Sequence, residues 1–79
     1  MIIFTKHFLE RIEQRNLDLK IIKDVLNNQS IEPITDATGN FIKQKRLNGY
    51  LLRVIYRLVN HNMIVISSYK TSKIDKYSK

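Results

Sequence analysis

The chain has no cysteine and is sparing with proline, glycine and acidic residues. Without cysteine, neither disulfides nor thiolate-bound metals can staple the fold, which suits a reducing compartment. One proline and two glycines leave no composition for a long disordered linker. No run approaches the roughly 20 apolar residues of a membrane-spanning helix. The opening "MIIFTKHF" lacks a basic segment followed by a long apolar one, so it does not read as a secretion signal. A cytoplasmic protein, away from membranes, is expected. Gly-rich phosphate loops, nucleophile elbows and triad motifs are also missing. Glu10, Glu13 and Asp24 lack metal-ligand spacing, and His7 and His61 lie too far apart for a zinc motif. The expectation is therefore no metal and no cofactor.

What is present is one small domain, residues 1–79, with a basic tail at 72–79. A chain this short buries only about 60% of its unfolded surface, so its stability margin is thin. Its 43% hydrophobic content nonetheless suffices for a core. Fourteen Lys and Arg against 7 Asp and Glu give a net charge of +7, which favours an anionic partner: RNA, DNA, a membrane surface or an acidic protein.

Thr5 is placed to cap a first helix, with Phe4 and Leu9 as a hydrophobic staple and Phe8, Leu9 and Ile12 as its buried stripe. "RNLD" ends it. Asp18 caps a second helix, stapled by Leu17 and Ile22, which buries Ile21, Ile22, Val25 and Leu26 and stops at Asn27-Asn28. Residues 29–39 read as a loop. The period then changes to two. "NFIKQKRL" and "YLLRVIYRL" flank Asn48-Gly49, a strong hairpin signal, and "NHN" at 60–62 turns the chain into a third strand, "MIVISSYKT". A short strand at the N-terminus is allowed. The fold class is α+β: two N-terminal helices packed on one face of a three- to four-stranded antiparallel sheet.

The Asn-Gly turn pairs Leu47 with Tyr50, Lys45 with Leu52, Lys43 with Val54 and Phe41 with Tyr56. These residues and Leu58 form the face the helices should cover, with Lys43 and Lys45 snorkelling from an edge strand. Ile42, Gln44, Arg46, Leu51, Arg53, Ile55 and Arg57 form the second face. A three-residue loop at 60–62 sets Val59 against Met63, sends Ile64 and Ile66 to the core, and puts Val65, Ser67 and Tyr69 on the second face, with Tyr69 opposite Arg53. Arginine forks hold phosphate oxygens, and a tyrosine stacks on a base or offers its hydroxyl, so this face suits single-stranded RNA. A plain solvated sheet face accounts for the same pattern. The charge balance favours binding.

His7, Arg11 and Arg15 recur at intervals of four on the first helix, at the margin between core and solvent. An imidazole there suits general acid–base work near neutral pH. A first-turn histidine making a local hydrogen bond, with arginines paired to Glu10 or Asp18, accounts for it as well. His61 reads as a polar loop residue. Lys70, Lys73 and Lys76 read as a solvated tail, with phosphate steering as the lesser alternative, and Tyr77 as an anchor for that tail.

His7-x3-Arg11-x3-Arg15, the short helix "LDLKIIKDVL", the strand "LLRVIY" and the ending Ser67-Ser68-Tyr69 with "KTSKIDKY" together resemble the RelE/ParE-like toxin superfamily. They resemble more closely a small bacterial domain-of-unknown-function family placed near it. The resemblance implies a RelE-like or barnase-like fold. It implies a toxin neutralised by an acidic antitoxin protein, and metal-independent cleavage of RNA, including ribosome-associated mRNA, through attack by the 2′-hydroxyl. It implies that Arg53 stabilises the phosphate, that Tyr69 stacks on a base or assists proton transfer, that His7 is the acid/base, and that Arg11 holds the phosphate or orients His7. Arg15, Gln44, Arg46, Arg57, Ser67 and Lys70 would hold RNA. A non-catalytic nucleic-acid-binding module, and a toxin that acts on another protein, are the alternatives.

Overall fold

A computed structural model describes residues 1–74. The part of the tail that includes Lys76 and Tyr77 lies outside the described residues. The order is β1 (Ile2–Phe4), α1 (Lys6–Gln14), α2 (Leu19–Asn27), β2 (Ile34–Thr35), β3 (Phe41–Leu47), β4 (Tyr50–Val59) and β5 (Asn62–Thr71).

Both helices start where their caps predict. The Thr5 hydroxyl accepts from the Phe8 amide at 3.1 Å, and the Asp18 carboxylate from the Lys20 amide at 2.9 Å. Helices this short are marginal alone, so packing holds them. Phe8, Ile12, Ile22, Val25 and Leu26 form one core with Leu52, Val54, Tyr56 and Val65. The buried stripes are narrower than expected: Leu9 and Ile21 stay 39% and 36% exposed. Phe4 stacks on Phe8, with ring centroids 5.5 Å apart, while Leu9, its expected staple partner, stays exposed. No helix among the described residues is long and apolar enough to cross a membrane.

The sheet corrects the expected architecture. It is α+β with both helices on one face, but it has five strands in the order β1-β5-β4-β3-β2 and is mixed, not three- to four-stranded and antiparallel. β1 pairs parallel with β5, Ile2 against Met63 through Phe4 against Val65. Parallel pairing joins segments far apart in sequence, so no turn signal announces it. β2 arises inside the expected 29–39 loop, pairing Ile34 with Ile42 and Thr35 with Phe41. The Asp36 carboxylate makes that turn by accepting from the Thr38 amide and hydroxyl and the Asn40 amide, at 2.7–2.9 Å. Gly39, at φ +87°, completes it. Pro33 is tolerated because β2 is an edge strand.

The β3–β4 register is as predicted from Leu47–Tyr50 to Phe41–Tyr56. Lys43, however, is buried rather than snorkelling. Its ammonium donates to the carbonyls of Leu26 (3.0 Å) and Asn28 (3.2 Å), satisfying the C-terminus of α2 with the charge that end favours.

The β4–β5 register differs from expectation in two places that cancel. The turn has two residues, Asn60 and His61, so Val59 faces Asn62 and not Met63. Both turn residues have positive φ, 50° and 68°, the geometry that matches strand twist in tight hairpins. A bulge between Ile55 and Tyr56 then takes up one extra residue of β5, Ile66. As a result Val65, not Ile64 or Ile66, is in the core: Val65 is fully buried, Ile64 opposes Arg57 on the second face, and Ile66 is 38% exposed. Leu58 lies beyond the helices, 52% exposed. Past the bulge the predicted register returns, with Tyr69 opposite Arg53. His61→Gly should relieve the left-handed backbone and raise stability by about 0.5–1 kcal/mol, read as a higher urea midpoint. An unchanged midpoint would show that the turn stores no strain.

Candidate nucleic-acid interface

The strand alternation and the Asn48-Gly49 turn bring Gln44, Arg53 and Tyr69 into line across β3, β4 and β5, on the face away from the helices. They form a hydrogen-bonded row. Arg53 Nε donates to Gln44 Oε1 at 3.2 Å, and Arg53 Nη1 donates to the Tyr69 hydroxyl at 2.7 Å. The guanidinium carbon lies 5.8 Å from the Tyr69 ring centroid. Arg53 is only 9% exposed, a burial unusual for arginine and one that fixes the orientation of its fork. Its main-chain carbonyl accepts from the Ser68 hydroxyl at 3.0 Å, which satisfies a serine buried on the core side.

Arg15 extends the row around the sheet edge. β1 stops pairing at Phe4–Val65, and beyond that point no described strand lies along the outer edge of β5. Arg15, the C-cap of α1, fills this gap. Its Nη1 donates to the Ser68 carbonyl at 2.8 Å and reaches the Ser67 hydroxyl at 3.4 Å. Ser67 shares the face of Tyr69, two residues along β5, so Arg15, Ser67, Tyr69, Arg53 and Gln44 make one polar band from helix to sheet centre. The band borders an apolar row, Ile42–Ile55, and exposed Arg46 and Arg57 lie on the same face toward opposite ends. β3, β4 and β5 contain no Asp or Glu, so no carboxylate within these strands offsets the arginines.

The remaining candidates lie elsewhere. His7 and Arg11 are exposed on α1, and neither side chain hydrogen-bonds another described residue. His7 is two turns from Arg15, about 12 Å along the helix axis. Lys70 pairs with Leu52 on the opposite sheet face, its ammonium 5.2 Å from the Tyr50 ring centroid. Among the described residues, no three His, Asp or Glu side chains come together as a metal site. Ser68 was not a sequence candidate. The expected register already set it opposite Val54 on the core face, but a serine in a strand carries no signal that its hydroxyl will be buried on a neighbouring carbonyl.

Chemically, the band holds a fixed guanidinium fork beside a phenol. Because the Tyr69 hydroxyl accepts from Arg53, its own proton remains available for a second acceptor, such as a phosphate oxygen.

Residues 4–70 match the family described as "Domain of unknown function (DUF4258)", and the chain belongs to that family. Neither the curated proteins nor the solved structures gave a match.

Proposed function

We propose that this member of the DUF4258 family acts on single-stranded RNA as a RelE/ParE-like toxin, a metal-independent endoribonuclease held in check by an acidic antitoxin. The observation that carries the reading is the Gln44–Arg53–Tyr69 row, with Arg15 at its end. In the reaction, the 2′-oxygen attacks phosphorus and the bond to the 5′-oxygen breaks. The proton lost by the 2′-hydroxyl is balanced by one delivered to the leaving oxygen, giving a 2′,3′-cyclic phosphate and a 5′-hydroxyl. Arg53 stabilises the charge that builds on the phosphorane, and Tyr69 donates its proton or stacks on a base. His7 serves as acid/base, and Arg11 holds a neighbouring phosphate or orients His7. Arg15, Arg11 and His7 follow one another at about 6 Å steps along α1, a track for a strand leaving the row. Arg46 and Arg57 supply longer-range attraction from the same face, and ribosome-associated mRNA is one form of the substrate.

The position of His7, two turns from Arg15, favours a second reading in which the band binds RNA without cutting it. One experiment separates them: end-labelled single-stranded RNA incubated with the protein in EDTA, beside His7→Ala and Arg53→Ala. Cyclic-phosphate ends from wild type alone support the nuclease. Salt-sensitive binding with no cut supports the binding module. Neither cutting nor binding removes RNA from the account.

A further inference from the structure

The opposite sheet face carries a second feature, unrelated to the arginine band. Where the helices leave the end of the core face uncovered, Asn16, Leu17, Asp18 and Ile21 face Tyr50, Leu52 and Lys70 across an open pocket of about 210 Å³. Its floor is apolar: Leu52 is buried, and Leu17 and Tyr50 are half-buried. Ile21 is a core-type residue of α2 left 36% exposed at the rim. The volume falls below the roughly 300–1,000 Å³ of small-molecule sites, and suits a single apolar side chain.

Two lysines flank the pocket floor. Leu52 sits between Lys45 and Lys70 on neighbouring strands, both exposed. Lys70 lies over the Tyr50 ring, which holds its ammonium beside the opening. Among the described residues the carboxylate in the lining is Asp18, which already accepts from the α2 amide of Lys20 at the positive end of that helix. An occupant therefore needs an apolar group for the floor and carboxylates for Lys70 and Lys45. A nucleic-acid strand is a poor match, because it has no aliphatic side chain to insert into the floor.

We infer that this pocket docks an acidic peptide segment of a partner protein, one apolar side chain inserted between Ile21 and Tyr50 and its flanking carboxylates on Lys70 and Lys45. The inference rests on the acidic-partner half of the proposed function, which it places at this pocket, and it stands whether or not RNA is cut. It gives the molecule two faces, one for RNA and one for an acidic partner.

The test uses the whole chain, ¹⁵N-labelled, titrated with an acetylated Asp-Glu-Leu-Glu-Asp peptide, its Ser-for-Leu counterpart and an oligouridylate. The expected result is saturable amide shifts at 16–21, 50, 52 and 70 with the leucine peptide, about tenfold weaker binding by the serine peptide, and about tenfold weaker binding to Lys70→Glu. Equal binding of both peptides, peptide shifts on the Gln44–Arg53–Tyr69 row, shifts at the pocket with oligouridylate alone, or no saturable shift would each overturn it. Lys70 is exposed, so the charge-reversed variant is expected to fold, and its ¹⁵N spectrum checks that directly.

Discussion

Arg53→Ala is expected to lower RNA cleavage by about 100- to 1,000-fold, the usual loss when one preorganised donor to a transition-state oxyanion is removed. The size follows from how Arg53 is held. Gln44 on one side and Tyr69 on the other fix its fork, and burial leaves it little freedom, so the guanidinium needs little reorganisation as charge develops. Arg53→Lys keeps the charge but cannot span from Gln44 to Tyr69 with one planar group, so it should recover only a small part of the rate. Truncation also leaves a gap beside buried Leu51 and removes the partner of the Tyr69 hydroxyl, so thermal melts belong beside the rate measurement. A variant that melts near wild type and still cuts RNA at the wild-type rate would remove Arg53 from the chemistry.

Phe8→Ala is expected to cost about 3–5 kcal/mol. Phe8 is fully buried, stacks on Phe4, and shares its core with residues from both helices and from β4 and β5. A domain of this length has a total stability of roughly 4–12 kcal/mol, so the substitution consumes a large share of it. Urea denaturation should show a much lower midpoint or no folded baseline at all. A midpoint within about 0.5 kcal/mol of wild type would mean that the Phe4–Phe8 stack does not hold α1 to the sheet.

Short-range chemistry made much of this fold readable. Thr5 and Asp18 announce their helices because a cap acts within three residues. Asn48-Gly49 announces a register that holds over all of β3, because a two-residue turn leaves no other alignment. That register alone sets Gln44 beside Arg53. The features that escaped depend on distant partners. The short N-terminal strand was allowed for, but its parallel pairing, Ile2–Phe4 along Met63–Val65, has no local signal. Ile34–Thr35 had a local signal, the Asp36–Asn40 turn, but two residues are too few to show a period. The pairing of Tyr69 with Arg53 was predicted from a loop one residue too long and a strand without a bulge, and the two differences cancel. Arg15 was legible as a basic residue near the buried stripe. Its contact with Ser67 and Ser68 follows only from where β1 ends. The positions of His7 and Arg11 on α1 were legible too, but helical spacing alone carries no information on how far they stand from the sheet band.

The central claim is that RNA lies on the face of Gln44, Arg53 and Tyr69. Its most direct test is an NMR titration of the ¹⁵N-labelled protein with a short single-stranded RNA bearing a 2′-methoxy block, which prevents cleavage while binding is read. The account predicts saturable shifts of the Arg53 and Arg15 side-chain Nε–H signals, together with the amides of residues 67–69, weakening steeply with salt. Shifts confined to the lysines of the opposite face, with the Arg53 and Arg15 signals unmoved, would contradict it.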